Sequence, residues 1–192
     1  MKIINKITSL LLSTVIAGGM LCSCAADENE YTKDYQCYFV FDTSVHNTSL
    51  INNCVNPLSS GVFCMVSQTP KNGVRYINVQ LNDGKTNESV AITTEIETRQ
   101  SCILGASNGL VIGCSTLNDA KLYAYDRQCP NCLQNYLYKP LQWTNNGQWL
   151  TCTTCNRCYD LNNSGYVVSG DAGVKLLRYP ATYTGTTLVV RN

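Results

Sequence analysis

The 192-residue chain predicts an all-β domain, and three observations carry that prediction. From Tyr35 onward, short runs rich in β-branched and aromatic residues follow one another. Turn-forming clusters bound them, such as Pro70-Lys71-Asn72-Gly73, Asn82-Asp83-Gly84 and Asn145-Asn146-Gly147. No window offers an extended amphipathic helix.

The chain opens on a segment read as a leader rather than as structure. Lys2 and Lys6 form a basic start and 7–20 a mostly apolar stretch. Leu21-Cys22-Ser23-Cys24 then resembles the lipobox of bacterial lipoprotein signals. The resemblance implies removal of 1–23, lipidation of Cys24 and anchoring in the cell envelope, at the outer membrane on its periplasmic or surface face. The alternative is an ordinary secretory signal cut after Ala26. Residues 24–34, with Asp27, Glu28 and Glu30, read as an acidic tether: a solvated linker, or one that resembles a surface-export signal of some gut bacteria.

The strands follow in order. Alternating patterns predict strands at 36–42 and 74–81, and apolar runs predict others at 61–67, 90–96, 109–114 and 122–126. Further strands are expected at 165–168, 175–179 and 187–191, with a short helix within 101–110. No long or low-complexity linker interrupts 35–192, which reads as one domain large enough to bury a core.

One stretch carries chemistry. Cys129-Pro130-Asn131-Cys132 is followed, after nineteen intervening residues, by Cys152-Thr153-Thr154-Cys155. Two residues between cysteines let both thiolates of a turn converge on one ion, and two such turns supply a tetrahedron. Bridging the intervening loop costs little, because closure entropy grows slowly with length. Cys129, Cys132, Cys152 and Cys155 are therefore the expected metal ligands, with Cys158 as an alternative. Two disulfides are the competing reading.

The same stretch resembles the Rieske iron–sulfur domain. Cys129-Pro130 stands for its first box, and Cys152-x-x-Cys155 with Tyr159-Asp160-Leu161 and Gly165 for its second. Leu122-Tyr123-Ala124-Tyr125-Asp126 is similar to the strand leading into the first box, and Ser169-Gly170 with 176–179 to the family's tail. The resemblance implies a β-sandwich or barrel with a small rubredoxin-like metal subdomain inserted at about 129–160. It also implies electron transfer. A Rieske centre needs two histidine ligands. Asn131 and Cys155 stand at those positions, and the chain's one histidine, His46, is remote. An ordinary two-cysteine, two-histidine cluster is excluded.

Three readings remain. A structural four-cysteine site favours zinc, which suits closed tetrathiolate sites. The alternative is an electron carrier holding rubredoxin-like iron or an all-thiolate [2Fe–2S] cluster. The third is a thiol–disulfide protein using Cys129 and Cys132, disfavoured because 133–139 reads as extended or irregular rather than as a helix that would activate the thiol.

The remaining features bound the function. With Lys2 and Lys6 in the leader, 12 of the 14 basic residues remain against 13 acidic ones, so nothing suggests nucleic acid. No residue set supports acid–base hydrolysis, and no catalytic residue is assigned. His46 reads as a solvated loop residue, and Trp143 and Trp149 as cover for the metal subdomain. Outside the cytosol, Cys37, Cys54, Cys64, Cys102 and Cys114 either pair or pack as small apolar side chains. A monomer is expected, with the membrane as one partner and a redox or envelope protein as a second, unnamed one.

Overall fold

The computed structural model describes residues 30–192, so the leader, Cys24, Asp27 and Glu28 lie outside the described residues. Three antiparallel sheets carry the fold. The largest contains β2 (Phe63–Lys71), β3 (Val74–Leu81), β4 (Asn87–Ile92), β6 (Leu110–Cys114), β7 (Leu122–Asp126) and β12 (Arg178–Tyr179), in the order β12-β7-β6-β2-β3-β4. A second sheet, ordered β13-β14-β1-β5, is built from β1 (Cys37–Asp42), β5 (Ile103–Leu104), β13 (Ala181–Tyr183) and β14 (Thr187–Arg191). The third and smallest, ordered β11-β10-β9-β8, uses β8 (Gln142–Thr144), β9 (Trp149–Thr151), β10 (Cys158–Asp160) and β11 (Val167–Ser169).

The large sheet is covered on both faces, and its pleat sorts the side chains. Cys64, Val66, Leu110, Ile112 and Ala124 join Phe39, Phe41, Leu188 and Val190 of the second sheet in one core. Their neighbours Phe63, Met65, Val111, Tyr123 and Tyr125 point the other way, into a second core with Leu150 and Tyr159 of the small sheet and the adjoining Leu161. Successive residues of a strand face opposite sides, so a strand buried on both must be apolar throughout. That is why Leu110–Cys114 is buried at every position.

The small sheet is an insertion. β7 and β12 are hydrogen-bonded neighbours, and the Asp126 N–H donates to the Leu177 carbonyl at 2.9 Å. Everything between them loops out to build the third layer. Asp126 pins both ends of that insertion. Its buried carboxylate accepts from the N–H groups of Ala106 (2.7 Å) and Gln128 (2.8 Å) and from the Tyr179 hydroxyl (2.8 Å). Burial pushes its pKa above the usual carboxylate range, against the opposing pull of these three donors. Gly105, at φ +69°, lets the backbone pass there; a Cβ would lie 2.2 Å from the Asp126 oxygen.

Several expectations are corrected. The strand expected at 90–96 ends at Ile92, and α2 (Glu95–Arg99) follows, because the Thr94 hydroxyl caps it by accepting from the Glu97 N–H. The segment 101–110 holds β5 and a 3₁₀ turn at Gly105–Ser107 instead of an α-helix. The strands expected at 165–168 and 175–179 shrink to Val167–Ser169 and Arg178–Tyr179. An unforeseen helix, α1 (Ile51–Val55), buries Cys54. His46 is no solvated residue: its ring stacks on Phe41 at 5.0 Å and its Nε2 meets the buried Glu97 carboxylate at 2.9 Å. Residues 30–34, expected as tether, are docked on the domain: the Thr32 N–H donates to the Arg178 carbonyl at 2.8 Å.

Candidate metal centre

The four cysteines converge at the seam between the insertion and the large sheet. Their Sγ atoms all lie within 4.8 Å of one another; Cys129 is 3.6 Å from Cys155, and Cys132 is 3.7 Å from Cys152. Cys129, Cys132 and Cys152 are buried, and Cys155 is half-buried at the rim.

The two pairs reach this point by different turns. Cys129 immediately precedes α3 (Pro130–Leu133), in which Pro130 occupies the first helical turn. The Leu133 N–H donates to the Cys129 carbonyl at 3.0 Å, and the helical turn brings the Cys132 N–H to the Cys129 sulfur. Beyond Leu133, which closes α3, residues 134–139 are a turn and irregular chain, as expected, with Tyr136 at φ +58°. The second pair forms a knuckle. The Asn156 N–H closes on the Cys152 carbonyl at 2.8 Å, and Asn156 adopts φ +56°, the left-handed geometry that asparagine tolerates. The Arg157 N–H and guanidinium then both face the Cys155 sulfur.

Polar groups aimed at sulfur distinguish this cluster from packed hydrophobic cysteines. The Tyr159 hydroxyl lies 3.2 Å from the Cys129 Sγ. Burial pushes the Cys129 thiol up, although the Tyr159 hydroxyl and the Cys132 N–H oppose it; Cys132 is also raised by burial and by its thiol neighbours. Burial also works against the Cys155 thiolate, yet the Arg157 N–H and guanidinium outweigh it and bring this thiol down to about 7. Four sulfurs with donors turned toward them suit a thiophilic cation, whose charge would hold all four as thiolates. Among the described residues, this is the one group of three or more metal-ligating side chains.

Two residues that spacing alone could not place complete the site. Asn131, at a position where the Rieske resemblance implies a histidine, does not face the sulfurs as a ligand would. Its amide donates to the Tyr159 hydroxyl (2.9 Å) and the Val174 carbonyl (3.0 Å) and accepts from the Val174 N–H (3.0 Å). Arg157 reaches the Asp171 and Ala172 carbonyls at 3.0 and 3.1 Å. Together they clamp the loop 170–174 over the centre. Gly170, at φ +89°, permits this; a Cβ would sit 2.8 Å from the Asn156 carbonyl.

Cys158 is outside the cluster. It sits on β10 beside the inward-facing Tyr159, and its Sγ lies 3.5 Å from the Thr151 hydroxyl. Trp143 packs against the second core, as cover for the subdomain should. Cys24 lies outside the described residues.

No family model matches the chain, and no curated protein matches it. Among solved structures, it is similar to the plasma membrane Rieske protein PetC3 of the cyanobacterium Synechocystis PCC 6803. That likeness has 15% identity and a TM-score of 0.35, over 45% of this chain and 80% of the other. A likeness this slight assigns neither family nor cofactor.

Proposed function

We propose that this is an exported, lipid-anchored protein in which Cys129, Cys132, Cys152 and Cys155 hold one structural zinc ion, as part of a binding or accessory module of the cell envelope. The observation that carries the metal reading is the sulfur geometry. Zinc–sulfur bonds of about 2.3 Å imply tetrahedral edges of about 3.8 Å, and two edges here measure 3.6 and 3.7 Å. A two-iron cluster divides its thiolates between two metals and spreads them further apart than one tetrahedron does. With every sulfur within 4.8 Å of the others, a single ion is the better fit. When bound, zinc supplies cross-linking rather than chemistry: it would fasten the insertion's first turn to its knuckle, closing the second core. The lipid anchor rests on the lipobox at Leu21-Cys22-Ser23-Cys24.

A mononuclear, rubredoxin-like iron is the second reading, favoured by the N–H groups turned toward Cys129 and Cys155, which would stabilise thiolates on iron as well. One experiment separates these readings: metal and acid-labile sulfide analysis with a visible spectrum, on protein purified anaerobically. One colourless zinc per chain and no sulfide is expected. Iron without sulfide would select the electron carrier, and iron with about two sulfides the [2Fe–2S] centre. Oxidised thiols without metal would overturn both.

A further inference from the structure

We propose that the flank of the domain carrying the docked tether and the metal subdomain lies against the phospholipid bilayer, with Tyr31, Tyr136, Tyr166 and Val174 at the lipid interface. The proposal rests on the lipid anchor at Cys24 put forward above, and it adds an orientation that the anchor alone does not give.

The reach of the tether restricts the orientation. Glu30 pairs with Lys121 at 2.9 Å and with Arg178, whose guanidinium is held between the rings of Tyr31 (5.0 Å) and Tyr123 (5.1 Å). The Asn192 amide also donates to the Thr32 carbonyl at 3.0 Å. The described chain therefore begins at Glu30, beside β12, an edge strand of the large sheet. Six residue steps separate Cys24 from Glu30 and span at most about 22 Å. A domain of this size is on the order of 40 Å across. The tether is thus too short for the molecule to turn over, and the β12 edge is the one kept near the membrane. The β4 edge stands five strand spacings away, or about 24 Å.

This flank also exposes side chains suited to a membrane surface. A cleft of about 800 Å³ opens between 30–35, the turn containing Pro130 and Tyr136, and the segment 174–178. Tyr31, Tyr136 and Val174 line it, and Tyr166 lines an adjoining hollow that shares Glu30, Lys175 and Arg178. Tyr136 is 88% exposed, and its backbone sits at φ +58°, a conformation that costs a bulky residue energy. Lys175, with its Nζ 5.4 Å from the Tyr166 ring, pairs a cation with an aromatic. Tyrosine beside lysine suits the headgroup level, where a ring meets the acyl boundary and the ammonium stays in water.

The test uses the full-length lipidated protein in phosphatidylcholine vesicles whose acyl chains are brominated. Tryptophan emission is read for wild type, Tyr136→Trp, Val174→Trp and Ile96→Trp, the last on α2 beside the β4 edge and well exposed. The first two variants are expected to lose most of their added emission to the bromines, and Ile96→Trp to lose none beyond wild type. Two positions on the flank guard against one variant misfolding. Equal quenching on both flanks, or quenching of Ile96→Trp alone, overturns the orientation while leaving the anchor intact. Protein that fails to float with vesicles removes the anchor, and the orientation with it. Unquenched flank variants whose indoles are nevertheless shielded in whole envelopes would give the surface to a protein partner and overturn the proposal.

Discussion

Cys155 differs from its three neighbours in being half-exposed and in facing both the N–H and the guanidinium of Arg157. It is therefore the sulfur through which the centre meets solvent, and the one whose removal leaves the rest of the core least disturbed. Cys155→Ser is expected to release the metal, read by elemental analysis, and to expose the insertion to proteolysis while β1 to β7 remain folded. Cys158→Ser is the contrasting case. Its thiol lies toward Thr151 and outside the four-sulfur group, so metal content should be unchanged; loss of the metal would make it a ligand. Tyr159→Phe tests the layer behind the sulfurs. It deletes a hydroxyl shared by Cys129 and Asn131, so it should cost about 1–2 kcal/mol in a denaturant titration. It should also weaken metal binding about 10- to 100-fold in a chelator competition, the usual effect of removing a group that orients a ligand. The four cysteines were legible from spacing alone, because each pair converges through a local turn. The partners of Tyr159 and Asn131 were not, because Val174 and the Cys129 sulfur come near only after the insertion folds back.

Among the elements, the strands that face two cores were the most legible and the insertion the least. Leu122–Asp126 reads as a strand because its first four positions are all apolar or aromatic. By contrast, β8, β9 and β10 are three residues long, too short to show alternation, and the knuckle between Cys152 and Cys155 fixes two of them from outside. Helix α1 was hidden for a related reason: its five residues, with Asn52 and Asn53 among them, are too few to show a helical period. The 3₁₀ turn at Gly105–Ser107 owes its place to a distant carboxylate, and that dependence can be measured. Asp126→Ala leaves the N–H groups of Ala106 and Gln128 and the Tyr179 hydroxyl without their buried acceptor. Each unsatisfied donor costs about 1–3 kcal/mol, partly offset because burial already disfavours the charged aspartate. A net loss of about 3 kcal/mol is expected from chemical denaturation. Asp126→Asn should cost less, since an amide oxygen still accepts. Equal costs for the two would mean that the side chain acts by filling space and not by collecting donors.

For the whole molecule, the three layers and the docked tether form one continuous structure, with Arg178 at the junction. Arg178 lies on β12, where the insertion returns to the large sheet, and its side chain is buried between Tyr31 and Tyr123 while pairing with Glu30. The tether is thereby coupled to a strand that frames the metal subdomain. This coupling has a pH signature. The hydrogen bond from Lys121 holds the Glu30 carboxyl below its usual range, against slight desolvation and with help from the Arg178 charge. A carboxylate depressed in the folded state stabilises that state fully above its ordinary pKa and loses the contribution as pH falls through the depressed value. Docking of 30–35 should therefore be intact at neutral pH and weaken in acid below the ordinary glutamate range. It should weaken also at high salt, because Glu30 and Lys121 are both substantially exposed. Hydrogen exchange is the direct measure. At neutral pH, Glu30→Gln should speed exchange across Tyr31 to Tyr35 and leave the amides of β1 and β14 protected. Acid should do the same to wild type but add nothing to the variant. If exchange in 30–35 is unchanged by the substitution, the Thr32 and Asn192 hydrogen bonds hold the tether unaided, and Glu30 only neutralises two cations beside it.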